Sequence, residues 1–207
     1  MESTQYASEV LNYKIYNHIS LSYPEYRHLI DKLVAKSKTT GSDQTENRIH
    51  YTKLNVERMN RLDKTIKLEK ETVDFLQNVD HLTWVVISEA WCGDCAQILP
   101  ILNKMASTSN GRIHLRIVLR DENPELMNMF LTNNTRSVPK LIVLDSSGLE
   151  VLTTWGPRPF PASEIAWDWK NNMDKISWID FQNRLHLWYA KDKGKTTIKE
   201  ITDLLRR

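Results

Sequence analysis

The two cysteines of this 207-residue chain sit at the junction between an apolar strand and a helix. Trp84-Val85-Val86-Ile87 precedes the run Glu89-Ala90-Trp91-Cys92-Gly93-Asp94-Cys95, and Ile98, Leu99, Leu102 and Met105 recur after it at helical spacing. The order is strand, turn, helix, with both sulfurs at the turn. A thiol at a helix start faces unpaired backbone N–H groups and the positive end of the helix dipole. Both favour the thiolate, which is the nucleophile. A second thiol one turn later can attack a mixed disulfide formed by the first, so the spacing permits reversible dithiol–disulfide chemistry.

Other uses of the pair fit less well. A closed zinc site needs two further Cys or His ligands. The chain has no third cysteine, and His18, His28, His50, His81, His114 and His186 contain no pair three to five residues apart, so no metal is expected. A structural staple closing so short a loop constrains little of the unfolded chain. The Gly93-Asp94 spacer argues for a turn rather than inert burial.

The Trp91-Cys92-Gly93-x-Cys95 run, with its strand before and helix after, resembles the thioredoxin superfamily. Arg136-Ser137-Val138-Pro139-Lys140-Leu141-Ile142-Val143-Leu144 is similar to that family's cis-proline segment before a central strand; proline is the residue for which a cis bond is cheap. An ordinary trans proline opening a strand is the alternative. The resemblance implies an α/β thioredoxin-like fold: a central mixed sheet flanked by helices, here with a helical N-terminal extension and a helical insertion before the last helix. It implies that Cys92 attacks and Cys95 resolves through a Cys92–Cys95 disulfide. Pro139 would shape the substrate groove and keep metals from the pair, and the Val138 backbone would meet substrate. Trp91, Gly93 and Asp94 would border the groove. No cofactor is implied, because the sulfurs carry the electrons. The implied partners are a disulfide-containing protein substrate and an upstream dithiol reductant. The activity implied is a thiol–disulfide oxidoreductase reducing protein or small-molecule disulfides; a thioredoxin-fold binding or redox-sensing protein is the alternative.

The rest of the chain frames this unit. Residues 1–80 read as a helical extension and 81–207 as the thioredoxin-like domain, with the insertion at about 157–192. The extension is similar to that of a bacterial group of thioredoxin-family proteins. Leu11, Ile15 and Ile19 recur at helical spacing, Pro24 opens a helix through Val34, and Thr45 to Leu68 reads as a long helix with Ile49, Leu54, Met59, Leu62 and Ile66 on one face. Its mixed charges suit either solvent or a partner surface, and the extension could lie over the thiols or behind the sheet. Thr72 is a candidate cap for a short helix. Strands are predicted at Leu82–Ser88, Arg112–Leu119, Leu141–Asp145 and Glu150–Trp155, the last two joined by Ser146-Ser147-Gly148. Helices are predicted at Cys95–Ser107, bent at Pro100, and at Pro124–Leu131, Ser163–Met173 and Asp180–Lys191. Trp167, Trp169, Trp178, Trp188 and Tyr189 are expected in the core, packing the extension onto the sheet. Thr197 and Glu200 match a capping box for the last helix. A net charge of +2 gives no reason to expect nucleic acid or an anionic membrane, and no apolar run approaches the ~20 residues of a membrane span. The first residues lack a signal-peptide pattern, and the scarcity of cysteine fits a reducing cytoplasm.

Three departures from the family stand out. Asp94 occupies the position typical of proline; it either disfavours a second negative charge beside it or serves as an ordinary first-turn acid. Val86 stands six residues before Cys92, where the family carries a buried acid assisting the resolving thiol; Asp94, Glu89 or water could substitute. Ala96 replaces a usual lysine, while Arg136 and Lys140 flank Pro139 instead, as site charges or as plain solubilising groups.

Overall fold

The computed structural model describes residues 20–147 and 150–206. The predicted helical spacing of Leu11, Ile15 and Ile19, and Gly148 of the predicted turn, lie outside the described residues. The element order is α1 (Tyr23–Ala35), α2 (Glu46–Thr65), α3 (Lys70–Leu76), β1 (Leu82–Ser88), α4 (Gly93–Thr108), β2 (Ile113–Leu119), α5 (Pro124–Met129), β3 (Lys140–Leu144), β4 (Val151–Trp155), α6 (Phe160–Asn171), α7 (Trp178–Asp192) and α8 (Lys195–Leu205). The sheet is mixed, in the order β2-β1-β3-β4. β1 runs parallel to β2 and antiparallel to β3, and β3 pairs antiparallel with β4. β1, central and covered on both faces, is apolar along almost its whole length.

The helix starts follow local chemistry. Ser22 and Glu25 form a reciprocal capping box, so α1 begins just ahead of Pro24. Ser177 caps α7 by accepting from the Asp180 N–H. The Cys92 sulfur itself caps α4, accepting from the Cys95 N–H.

Two expected caps are absent. Thr72 lies inside α3, whose N-cap is Glu69. The Thr197–Glu200 box does not form, because Lys193 and Gly194 in left-handed conformation start α8 at Lys195. Glu200 instead accepts from Trp155 Nε1 and the Phe160 N–H, fastening α8 to the end of β4 and the start of α6.

The extension shares the main core. Tyr23, Tyr26, Ile30, Met59 and Leu62 are buried with the strands and α4, and Leu21 exchanges backbone hydrogen bonds with Ile117 of β2. The insertion tryptophans do not provide this packing. α6 and α7 bury Ala162, Ala166, Phe181, Leu185 and Tyr189 in a second, smaller cluster, with Trp169 and Trp188 half-buried on it. Trp167 and Trp178 are exposed. A helical pair with only one stripe between its own helices cannot cover rings on its outer faces.

Candidate functional site

Cys92 and Cys95 are free thiols at the start of α4. The Cys92 side chain is 7% exposed and that of Cys95 only 1%. Cys92 Sγ lies 3.4 Å from the Cys95 nitrogen and 3.3 Å from the Val138 carbonyl oxygen, to which its S–H donates. The helix start thus offers an N–H to the first sulfur, and the segment before β3 forms the opposite wall. The Val138–Pro139 peptide is cis. A second cis peptide, Gly156–Pro157, was not signalled by the sequence. Gly156 has φ +117°, and a Cβ there would stand 2.4 Å from the Pro139 carbonyl oxygen, so glycine is required where the chain leaves β4 against the cis-proline loop.

Burial, reinforced by the adjacent Cys92, pushes the Cys95 thiol well above its ordinary range. Two groups work in the other direction: the Ser88 hydroxyl and the Glu89 backbone, both of which favour the Cys95 thiolate. Ser88 is held in turn by Tyr26 of α1, with 3.0 Å between the two hydroxyl oxygens. Both residues are buried, and burial lifts the Tyr26 phenol well above its ordinary range, so it stays a neutral hydrogen-bonding group. The extension therefore supplies part of the surroundings of the resolving thiol from behind β1. Nothing local around Tyr26 distinguishes it from a core aromatic.

The two acids considered as substitutes for the missing carboxylate are engaged elsewhere. Glu89 accepts from the Thr40 hydroxyl and the Asp121 N–H, and burial raises its pKa. Asp94 is buried between Arg158, whose Nε and Nη2 both lie 2.8 Å from Oδ2, and Tyr189, whose hydroxyl donates to Oδ1 at 2.7 Å. Burial opposes the Arg158 charge, but the Asp94 carboxylate outweighs it and raises that pKa. Asp94 is thus a first-turn acid of α4 that also ties the redox turn to the insertion. Of the basic pair flanking Pro139, Lys140 is buried against Thr132 and Arg136 bonds Asn128.

A cavity of about 340 Å³ opens beside Cys92. Trp91, Cys92, Gly93 and Asp94 line one side; Tyr51 of α2 and residues of α6 and α7, including Trp169, Lys170, Trp178, Phe181 and His186, line the rest. The Trp91 ring carries the Arg48 and Arg120 guanidinium groups at 4.0 and 4.7 Å from its centre. Gly93 lies against His186 and Arg58, its missing Cβ only 3.1 Å from His186 Cε1. Burial, then Arg58, depresses the His186 pKa to about 4. A larger groove, about 880 Å³, between α2, α7 and α8 holds neither cysteine. No group of His, Cys, Asp and Glu among the described residues could hold a metal.

Thioredoxin 1 of Nostoc sp. is 32% identical over 53 residues, 26% of this chain and 47% of that protein, so the chain spans about half the length of the curated relative it matches. A crystal structure of a protein of unknown function from Pseudomonas aeruginosa superposes with TM-score 0.56 at 17% identity, covering 90% of this chain and 98% of the other. An HIV epitope-scaffold structure gives TM-score 0.53 at 19% identity over the same shares. At these identities the two structures show the fold alone. A family model described as thioredoxin matches residues 41–173, more than half of the chain, and takes in the extension's long helix, the cysteine pair, the cis-proline segment and all of α6. The chain belongs to this thioredoxin family.

Proposed function

We propose that the protein is a thiol–disulfide oxidoreductase that reduces disulfides through Cys92 and Cys95 in a reducing, cytoplasmic setting. The observation that carries this reading is the Cys92 sulfur capping α4, with the Cys95 N–H aimed at it and the cis Val138–Pro139 segment opposite. The Cys92 thiolate attacks one sulfur of a substrate disulfide; the substrate S–S bond breaks and one thiolate leaves. Cys95 then loses its proton and attacks Cys92 Sγ, forming the Cys92–Cys95 disulfide and releasing the second substrate thiol. An external dithiol returns the pair to the reduced state, taking up the disulfide in its own sulfurs.

The test uses dithiothreitol as reductant with insulin or glutathione disulfide as acceptor. The protein should reduce at least one of them faster than dithiothreitol alone, Cys92→Ser should remove the acceleration, and Cys95→Ser should accumulate a mixed disulfide on Cys92. No acceleration with either acceptor overturns the reading.

A further inference from the structure

The Cys92 sulfur does not open onto a broad surface. Its residue is almost wholly buried, the Val138 carbonyl is occupied by its S–H, and α6 and α7 stand over the turn, held there by the Asp94–Arg158–Tyr189 contacts. The approach to it is the cavity between extension and insertion, whose volume lies at the low end of the ~300–1,000 Å³ of small-molecule sites. The far wall is aromatic: Trp169 stacks on Phe181 at 4.8 Å and 15°, and Trp178 packs on both while donating to Tyr51 across the cavity rim. The charge around it is unbalanced. Arg158 and Lys170 line it with one carboxylate, Asp94, already bound by Arg158, and Arg58, whose Nη1 donates to Asn55 Oδ1 at 2.7 Å, stands at its edge against Gly93. Neither Arg58 nor Lys170 has a carboxylate within ion-pair distance among the described residues. A half-buried guanidinium without an anion, beside an attacking sulfur, suits a ligand that brings its own negative charge.

We infer that the cavity between α2 and the α6–α7 insertion is a binding site for a low-molecular-weight disulfide bearing carboxylates, which Cys92 attacks in place of a docked protein. The inference rests on the oxidoreductase reading and specifies its substrate. One half of the ligand sits against Trp169 and Trp178, with a carboxylate toward Arg58 and Lys170. Its disulfide reaches Cys92, and the other half leaves as a thiolate through the open side. The electrons come from the Cys92–Cys95 dithiol, which ends as the disulfide.

Single-turnover oxidation of the pre-reduced protein separates the possibilities, followed by quenching and mass analysis of the Cys92–Cys95 disulfide. The probes are glutathione disulfide, rich in carboxylates; cystamine, a small cationic disulfide; and insulin, a protein disulfide. Glutathione disulfide should react at least about tenfold faster than cystamine after correction by the rates of both with free dithiothreitol, and faster than insulin. Arg58→Met and Lys170→Met should each narrow the glutathione-to-cystamine ratio, with folding verified by circular dichroism. Equal corrected rates for the two small probes, an unchanged ratio in both variants, or faster oxidation by insulin overturns the inference while leaving the oxidoreductase reading intact. Failure of all three probes to oxidise the pair overturns that reading instead.

Discussion

The two thiols of one motif, three residues apart, stand in opposite surroundings. Cys92 faces the cavity, with cations from α2 and the insertion around it and a backbone N–H on its sulfur. Cys95 faces inward to a buried region of β1 and α1, where hydroxyls rather than charges meet it. Each side is finished by parts of the chain outside the minimal strand–turn–helix unit: the insertion together with α2 for Cys92, α1 for Cys95. The lesson is that the accessory helices complete the redox turn itself. Substitutions in them should therefore move one sulfur without the other.

The largest effect is expected at Asp94, where the insertion meets the turn. Asp94→Ala leaves the Arg158 guanidinium and the Tyr189 hydroxyl facing an empty acceptor position, and removing one partner of a buried pair is strongly destabilising. Arg158 retains some solvent contact, so the expected loss is about 2–3 kcal/mol in urea unfolding rather than the upper end of the range. The exposed Arg206–Glu71 pair provides the contrast: Glu71→Ala should cost less than about 1 kcal/mol. Similar losses at both positions would show that the insertion is not anchored through Asp94.

The next effect belongs to the inner thiol. Its raised pKa means that Cys95 is protonated at neutral pH, so release of a mixed disulfide from Cys92 should accelerate as pH rises, up to and beyond the ordinary thiol range. Ser88→Ala removes the hydroxyl that favours the Cys95 thiolate and should slow release about tenfold at neutral pH, moving the pH–rate profile further alkaline. Tyr26→Phe, acting through Ser88, should shift the profile the same way by a smaller factor, about threefold. Stopped-flow fluorescence of pre-formed mixed disulfides measures both. Variants that slow release equally at every pH would mean that these hydroxyls only support the packing.

The same division explains how much could be read from the sequence. The strands of alternating or continuous apolar residues, the helix after the cysteines and the Val138-Pro139 segment carry their signals within a few residues, and the fold class follows from them. The Cys92–Cys95 pair is likewise a local pattern. Tyr26, Arg158, Tyr189 and His186 reach the site across long stretches of chain, and no spacing rule links Tyr26 to Ser88 or Tyr189 to Asp94. Arg158 sits between Pro157 and Pro159, in a stretch that carries no site signal of its own. The insertion tryptophans were misplaced for a related reason: aromatic content predicts burial but not which layer provides it, and here the rings serve a helical pair and a cavity wall. Thr197 and Glu200 show a local pattern overruled by tertiary demand, since Glu200 is worth more as acceptor for Trp155 and Phe160 than as a cap.

At neutral pH the smallest expected effect lies at His186, between cavity and insertion. Its Nε2 pairs with Gln182, while Nδ1 is buried without a partner among the described residues. Burial and the neighbouring Arg58 hold its pKa at about 4 in the folded protein, below the ordinary 6.5. For a base whose folded pKa is lowered, the unfolded chain binds the proton first, so the neutral ring favours folding above pH 6.5. That contribution falls away as pH drops from about 6.5 to 4 and is fully lost below. His186→Gln keeps a polar side chain without the titration, so its unfolding midpoint should depend less steeply on pH than the wild type's across this window. Because the change is confined to the cavity side, the pH dependence of Cys95 release should stay as in the wild type. A shift in both profiles would mean that the two sides of the motif are coupled through the turn.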